Sequence, residues 1–291
     1  MSILKCENLS KSYGQKMVLE NLNLTLESGK IYGLIGRNGA GKTTLLSIMS
    51  NQNPVSNGVV SLDGENIWEN KKALKHICLS RELNISTENG LSSYTIKRYL
   101  DTAASFLPNW DKEMAKQLVE RFALNPKTKL SKLSKGMLSM ITIIVAMASK
   151  AEFTFLDEPV AGLDVIAREQ FYKLLLDEYT NTGRTFVIST HIIEEAADVM
   201  EEIIILDKGK ILLKENTQEL IDRTRYVTGL AEQVDAAVAD LECHHAESMG
   251  RSKGVTVLLR EGDTLNAQYD VTVQPLNLQK IFVALCQEEV N

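Results

Sequence analysis

Apolar and polar positions alternate through "ILKCENLSKSYG" and "VLENLNLTLESG", and an apolar strand follows in "IYGLI", so residues 2–35 read as strands broken by turns. A further strand-like stretch, "GVVSLDGENI", covers 58–67. From 94 to 123 the spacing becomes helical, in "TIKRYLDTAASFL" and "KEMAKQLVERFAL", separated by "PNW". Past residue 150 the elements alternate: strand "AEFTFLDE", helix "IAREQFYKLLLDEYTN", strand "TFVIST", helix "IIEEAADVM", strand "EIIILDKGKILLK". That order predicts an α/β fold, with a parallel sheet covered by helices. Between these regions, "KLSKGMLSM" at 132–140 starts a helix with Ser134 as a good N-cap. A small, glycine-containing helix start is also a place where backbone amides can grip an anion.

A boundary is expected near Arg223, dividing residues 1–222 from 223–291. The tail carries "RYVTGLA", "EQVDAAVADLE", "GVTVLLRE", "YDVTVQPLN" and "LQKIFVALCQ", the pattern of a small mixed α+β appendage without a catalytic motif. Neither a short internal repeat nor a low-complexity tract is visible.

Composition changes this picture little. The 291 residues carry 44% hydrophobic and 24% charged side chains, as an ordinary globular protein does. A formal net charge of −6 argues against nucleic acid as a partner. Cys6, Cys78, Cys243 and Cys286 are scattered, with no Cys-x-x-Cys, so neither a disulfide framework nor a zinc site is indicated. Cys243-His244-His245 reads as a polar turn or strand, since no second ligand pair stands at suitable spacing. The start "MSILKCENLS" lacks the features of a signal peptide, and "MITIIVAMA" falls short of the ~20 residues that cross a bilayer. A cytoplasmic location is expected, with any membrane part supplied by another polypeptide.

The chemistry begins at "GRNGAGKT", Gly36–Thr43, which fits G-x-x-x-x-G-K-[ST] between an apolar strand and the helix "TTLLSIMS". Gly36, Asn38, Gly39, Ala40 and Gly41 form the loop whose amides would face phosphates, and Thr44 follows in the helix. Lys42 would neutralise β- and γ-phosphate charge, and Thr43 would offer its hydroxyl to Mg²⁺. In "FTFLDE", residues 153–158, Asp157 ends an apolar strand and would hold Mg²⁺, through water or through Thr43. Glu158, one residue on and facing the other way, is placed to polarise water for attack on the γ-phosphate.

With the loop, the acidic strand and "LSKGM" in this order, residues 1–220 resemble the ATP-binding cassette superfamily. The resemblance implies a P-loop NTPase cassette: an N-terminal antiparallel β subdomain, a parallel-sheet core and a helical subdomain at about 85–150. It implies an ATPase using ATP and Mg²⁺. The family's signature is usually Leu-Ser-Gly-Gly-Gln; here Leu133, Ser134, Lys135, Gly136 and Met137 stand in its place, a variant similar to that of two-component bacterial exporters. By resemblance, Ser134 and Gly136 grip the γ-phosphate held by a second copy. Tyr13 in "KSYG" takes the place of the aromatic that stacks on adenine; taken alone it would read as packing. Asp164 in "AGLD" takes the place of a contact to the opposite subunit, and reads equally as a helix N-cap. His191, after "VIST", takes the place of the γ-phosphate histidine.

One departure stands out. Where the family has a glutamine after the strand in "HICLSRELN", this chain has Arg81, followed by Glu82. Arginine cannot ligate a cation, so Arg81 is expected to face a phosphate, Glu158 or solvent, with Glu82 as a substitute. The family's groove for a short helix of the membrane subunit falls in about 85–132, where Tyr94, Tyr99, Phe106 and Trp110 line it or pack as core. The function expected is that of an ATPase subunit which dimerises around two ATP and powers a membrane exporter, of amphipathic or antimicrobial-type peptides or of drugs. A non-transport cassette ATPase and a nucleotide-dependent regulator are the alternatives; a simple P-loop kinase would leave "LSKGM", "AGLD" and His191 without a role.

Overall fold

The computed structural model describes residues 1–85, 90–266 and 268–287. Strands β1 (Ile3–Tyr13) and β2 (Lys16–Glu27) form an antiparallel hairpin, in register from Ile3 opposite Glu27 to Tyr13 opposite Lys16. After β3 (Ile31–Ile35) and helix α1 (Lys42–Met49), β4 (Asn57–Leu62) and β5 (Glu65–Asn66) complete this sheet in the order β2-β1-β4-β5. The single strand expected at 58–67 is therefore two. Asp63 and Gly64 both take positive φ, 51° and 84°, which reverses the chain as a tight hairpin turn.

A short helix α2 (Lys71–Leu74) leads to β6 (Ile77–Ser80), and then come α3 (Ile96–Phe106), α4 (Lys112–Arg121) and α5 (Lys135–Ala148). Their starts are set by N-caps: Thr95, Asp111 and Ser134 each accept an amide N–H three residues on. Strand β7 (Phe153–Asp157), helix α6 (Val165–Thr182), strand β8 (Thr185–Thr190), helix α7 (Ile193–Ala197) and the hairpin β9 (Glu202–Asp207) and β10 (Lys210–Asn216) follow. The central sheet runs β10-β9-β3-β8-β7-β6, parallel except for β10.

Both faces of that sheet are buried, which explains its uninterrupted apolar strands. Ile31, Ile35, Phe186, Ile188, Ile203 and Ile205 face one core with α5 and α6. Tyr32, Leu34, Val187, Ile204 and Leu206 face the other, shared with α1 and the antiparallel sheet. The period of two thus feeds two cores at once.

Beyond α8 (Thr217–Arg223) lie β11 (Thr224–Leu230), α9 (Ala231–Ala237), β12 (Glu242–Met249), β13 (Ser252–Leu258), β14 (Val271–Pro275) and α10 (Leu278–Cys286). Their antiparallel sheet, β12-β13-β11-β14, has its own small core of Val227, Val234, Val255 and Val257. Cys243, His244 and His245 lie on strand β12, which resolves the turn-or-strand alternative. Leu278 and Ile281 of α10 join the large core of the cassette, and Asn277 Nδ2 donates to Glu194 Oε1 at 3.0 Å. Helix α7 is shorter than "IIEEAADVM" suggested, since Val199 and Met200 turn in to the core under β3 instead.

Candidate active site

Strand β3 delivers the chain into the loop 36–41, and α1 leaves it. Gly36 passes so close to β9 that a Cβ would lie 2.3 Å from the Leu206 carbonyl oxygen. Gly41 turns the chain into α1 at φ 110°, in the left-handed region, and no side chain caps the helix it opens. The first amides of α1 are therefore left for a ligand.

Lys42 is buried, and its Nζ donates to the carbonyls of Gly36, at 2.7 Å, and Arg37, at 3.4 Å. Burial holds its ammonium below the usual lysine range, while Glu158 and Asp157 pull it back up. Those carboxylates thus sit within electrostatic reach of the loop.

Asp157 is 8% exposed at the end of β7, and Ser189 Oγ donates to its Oδ1 at 2.5 Å. Glu158 has left the strand: its φ is +50°, rare for a residue with a Cβ. The Glu158 amide donates to the Ser189 carbonyl at 3.0 Å, which holds this turn. The turn aims the carboxylate at His191, whose Nδ1 is 2.7 Å from Glu158 Oε2. An open cleft of about 680 Å³ joins these parts, lined by Asn38, Gly39, Ala40, Gly41, Lys42, Thr43, Thr44 and Glu158, with Lys16, Met17, Val18 and Lys208 at its mouth. The last four carried no motif: Lys16, Met17 and Val18 open β2, and Lys208 lies in the turn between β9 and β10. Ser189 is the other residue the motifs missed, two positions before His191.

The donors fit a magnesium ion. Thr43 and Glu158 share the cleft, Asp157 is fixed by a hydroxyl, and among the described residues no group of three or more His, Cys, Asp or Glu could hold a metal alone. A cation here would complete its shell with water and phosphate oxygens, as Mg²⁺ does.

Ser134, Gly136 and Asp164 form a separate cluster and do not line the cleft. Ser134 Oγ accepts the Met137 amide at 3.2 Å. Gly136 lies on the loop after β7, where a Cβ would come within 2.6 Å of the Gly162 carbonyl oxygen. Ser139 Oγ reaches the Ala161 carbonyl at 2.6 Å, and Asp164 caps α6 through the Ala167 amide at 2.8 Å. So "LSKGM" and "AGLD" form one unit.

Tyr13 is not among the residues lining the cleft. Its half-exposed ring lies under Lys11 Nζ, 4.9 Å from the ring centre, and its hydroxyl accepts from Asn53 Nδ2. Arg81 lies in a different cavity, of about 200 Å³, with Gln52, Ser80, Leu83, Tyr99 and Thr142. Glu82 pairs with Lys135 at 3.1 Å. Of the aromatics in the helical segment, Tyr99 lines that cavity, Tyr94 and Trp110 pack against the core, and Phe106 is 80% exposed.

Comparison with known proteins adds to this geometry. The profile of the family described as "ABC transporter" matches residues 19–161. The bacitracin transport ATP-binding protein BcrA of Enterococcus faecalis is 32% identical over 78% of this chain and 73% of its own length. The taurine import ATP-binding protein TauB of Escherichia coli O157:H7 is 32% identical over 71% of this chain and 80% of its own. Among solved structures, the dimeric post-hydrolysis state of the cassette MJ0796 bound to ADP and Pi superposes with a TM-score of 0.63 at 23% identity, covering 74% of this chain and 98% of that one.

Proposed function

The chain belongs to the ABC transporter family as an ATP-hydrolysing subunit, and from that premise we propose that two copies pair head to tail around two ATP. The pair drives a membrane exporter of amphipathic or antimicrobial-type peptides or of drugs. Pairing rests on one observation: the cleft holding the phosphate loop and Glu158 is open, while the helix start at Ser134, with Gly136 half-buried behind it, is exposed elsewhere. A second copy turned end to end would bring that helix start over the open side of the cleft.

In this reading Gly39, Gly41 and the first turn of α1 bind the β- and γ-phosphates. Lys42 exchanges the Gly36 and Arg37 carbonyls for phosphate oxygens. Thr43 and Asp157 would hold Mg²⁺, which would supply neutralising charge at the phosphates. Glu158 orients the attacking water and accepts its proton, and His191 fixes the Glu158 carboxylate. Tyr13 meets the adenine by turning from Asn53. Closing and reopening of the pair would move a membrane subunit docked at the groove beside Tyr99 and Arg81. No helix among the described residues is long and apolar enough to cross a membrane. In this reading the chain works at the inner face of the membrane, held there through the membrane subunit. Residues 223–291 act as an accessory domain on the cassette of residues 1–222.

Export is favoured by the likeness of the signature to two-component exporters and by the bacitracin relative; import is the second reading, favoured by the taurine relative. Sedimentation of E158Q with Mg-ATP tests the pairing, and identification of the copurifying membrane subunit tests the direction. A pair that forms with ATP and not ADP is expected. A wild-type enzyme that hydrolyses ATP as a single chain throughout its cycle would overturn the proposal.

A further inference from the structure

Three segments meet on the side chain of Lys135. It is the first residue of α5, between Ser134 and Gly136. Its aliphatic stem lies over the loop after β7, where a Cβ on Gly162 would come within 2.8 Å of Lys135 Cγ. Its ammonium sits 3.1 Å from Glu82 Oε1, in the segment after β6, with side chains 57% and 50% exposed. Lys135 replaces a glycine of the usual signature, and Glu82 follows the residue that replaces the usual glutamine. The ion pair thus joins two departures of this chain from its family.

Its electrostatics are one-sided. The N-terminus of α5 carries positive partial charge, and Lys135 adds a full unit to it. Glu82 cancels that charge in the single chain. An exposed pair of this kind is weak and is readily broken. A triphosphate carries more charge than one carboxylate, and in a closed interface it loses the water that screens it. Met137 brings no amide to the phosphate where the family has glutamine, so the signature lacks one polar contact that an ammonium at 135 would supply.

Resting on the paired reading above, we propose that Lys135 is a phosphate-binding residue held in reserve by Glu82. In the single chain Glu82 keeps the ammonium neutralised. On pairing, Lys135 swings from Glu82 to the terminal phosphate of the ATP carried by the opposite copy, and Glu82 is released to solvent. The ion pair sets how much ATP is needed to close the pair, without touching nucleotide affinity in the single chain.

The test uses the full chain in an E158Q background, with Mg-ATP titrated and pairing followed by sedimentation velocity. K135M should raise the ATP concentration for half-maximal pairing by about tenfold. E82Q should lower it by about threefold. The double variant E82Q/K135M should match K135M alone, because Glu82 acts only through Lys135. ATP affinity below the pairing concentration and thermal melting should be the same in all four proteins, which separates the effect from misfolding. Pairing by K135M at the parental ATP concentration would overturn the proposal, as would a gain from E82Q that persists without Lys135. If the E158Q parent itself fails to pair, the paired reading falls and this inference with it; a parent that pairs while K135M is unmoved removes only this inference.

Discussion

His191 Nδ1 stands 2.7 Å from Glu158 Oε2, so the residue after β8 braces the residue after β7. The contact exists because each residue directly follows its strand and Glu158 turns sharply there. Glu158 adopts φ +50°, and its amide is tied to the carbonyl of Ser189. Two neighbouring parallel strands thus place an acid on the phosphate cleft and an imidazole against that acid. His191→Ala removes the brace and leaves the cleft lining intact. Turnover should fall by about 10²-fold, while ATP affinity stays within a factor of two or so. Single-turnover hydrolysis and equilibrium binding on the same preparation separate the two effects.

Gly136 and Gly162 are in backbone contact, and this makes Gly136→Ala more than a surface change. The added methyl would sit 2.6 Å from the Gly162 carbonyl oxygen, so the 161–164 loop or the start of α5 has to shift. Overpacking of this kind costs about 1–3 kcal/mol. The expected result is a drop in melting temperature together with weaker ATP-driven pairing. A variant that melts like the parent but pairs weakly would mean that Gly136 has room within the chain, and that its lack of a side chain serves only the phosphate.

Several structural features of the candidate site were legible in the sequence. The phosphate loop, Asp157 and Glu158 were readable because backbone amides and carboxylates do their work at fixed offsets from strand ends. Ser134 and Asp164 were readable as helix caps. The division of each central strand between two cores was not: "IYGLI" and "IIIL" contain no polar residue to mark a face. Glu82 with Lys135 was invisible, because the partners are 53 positions apart and no spacing rule ties the start of α5 to the segment after β6. Tyr13 shows the reverse: the hairpin was found, yet its ring turns to Asn53 and Lys11, contacts that depend on the loop after α1.

Arg184 holds the far end of the cassette together. It is 6% exposed and donates to the carbonyls of Ala146, Met147 and Ala151, to Thr154 Oγ1 and to Glu178, itself 5% exposed. Through these bonds the C-terminus of α5, the start of β7 and the end of α6 are fixed to β8. Arg184→Met leaves those acceptors bare and weakens the neutralisation of Glu178. Breaking a buried pair this way costs about 3–5 kcal/mol. Lys150 still reaches Glu178, at 2.8 and 2.9 Å, so the lower end of that range is expected. Urea unfolding measures it, and replacing Glu178 with leucine as well should recover part of the loss.

The cysteines report on how the tail is docked. Burial pushes the thiol of Cys6 up to about 12 and that of Cys286 up to about 11, and it raises Cys78 as well. Cys243 is only half-buried. At pH 8 a thiol reagent should therefore label one cysteine slowly in the native chain, and all four after denaturation. Cys243→Ser should remove the native signal. Cys286 is protected because α10 lies against the cassette, near enough for Asp207 and Arg37 to influence its thiol, with the start of the helix tied to Glu194 through Asn277. Asn277→Ala removes that tie and should speed Cys286 labelling several-fold while Cys6 and Cys78 stay protected. If all three buried thiols were to speed up together, α10 would be unfolding with the cassette rather than lifting from it.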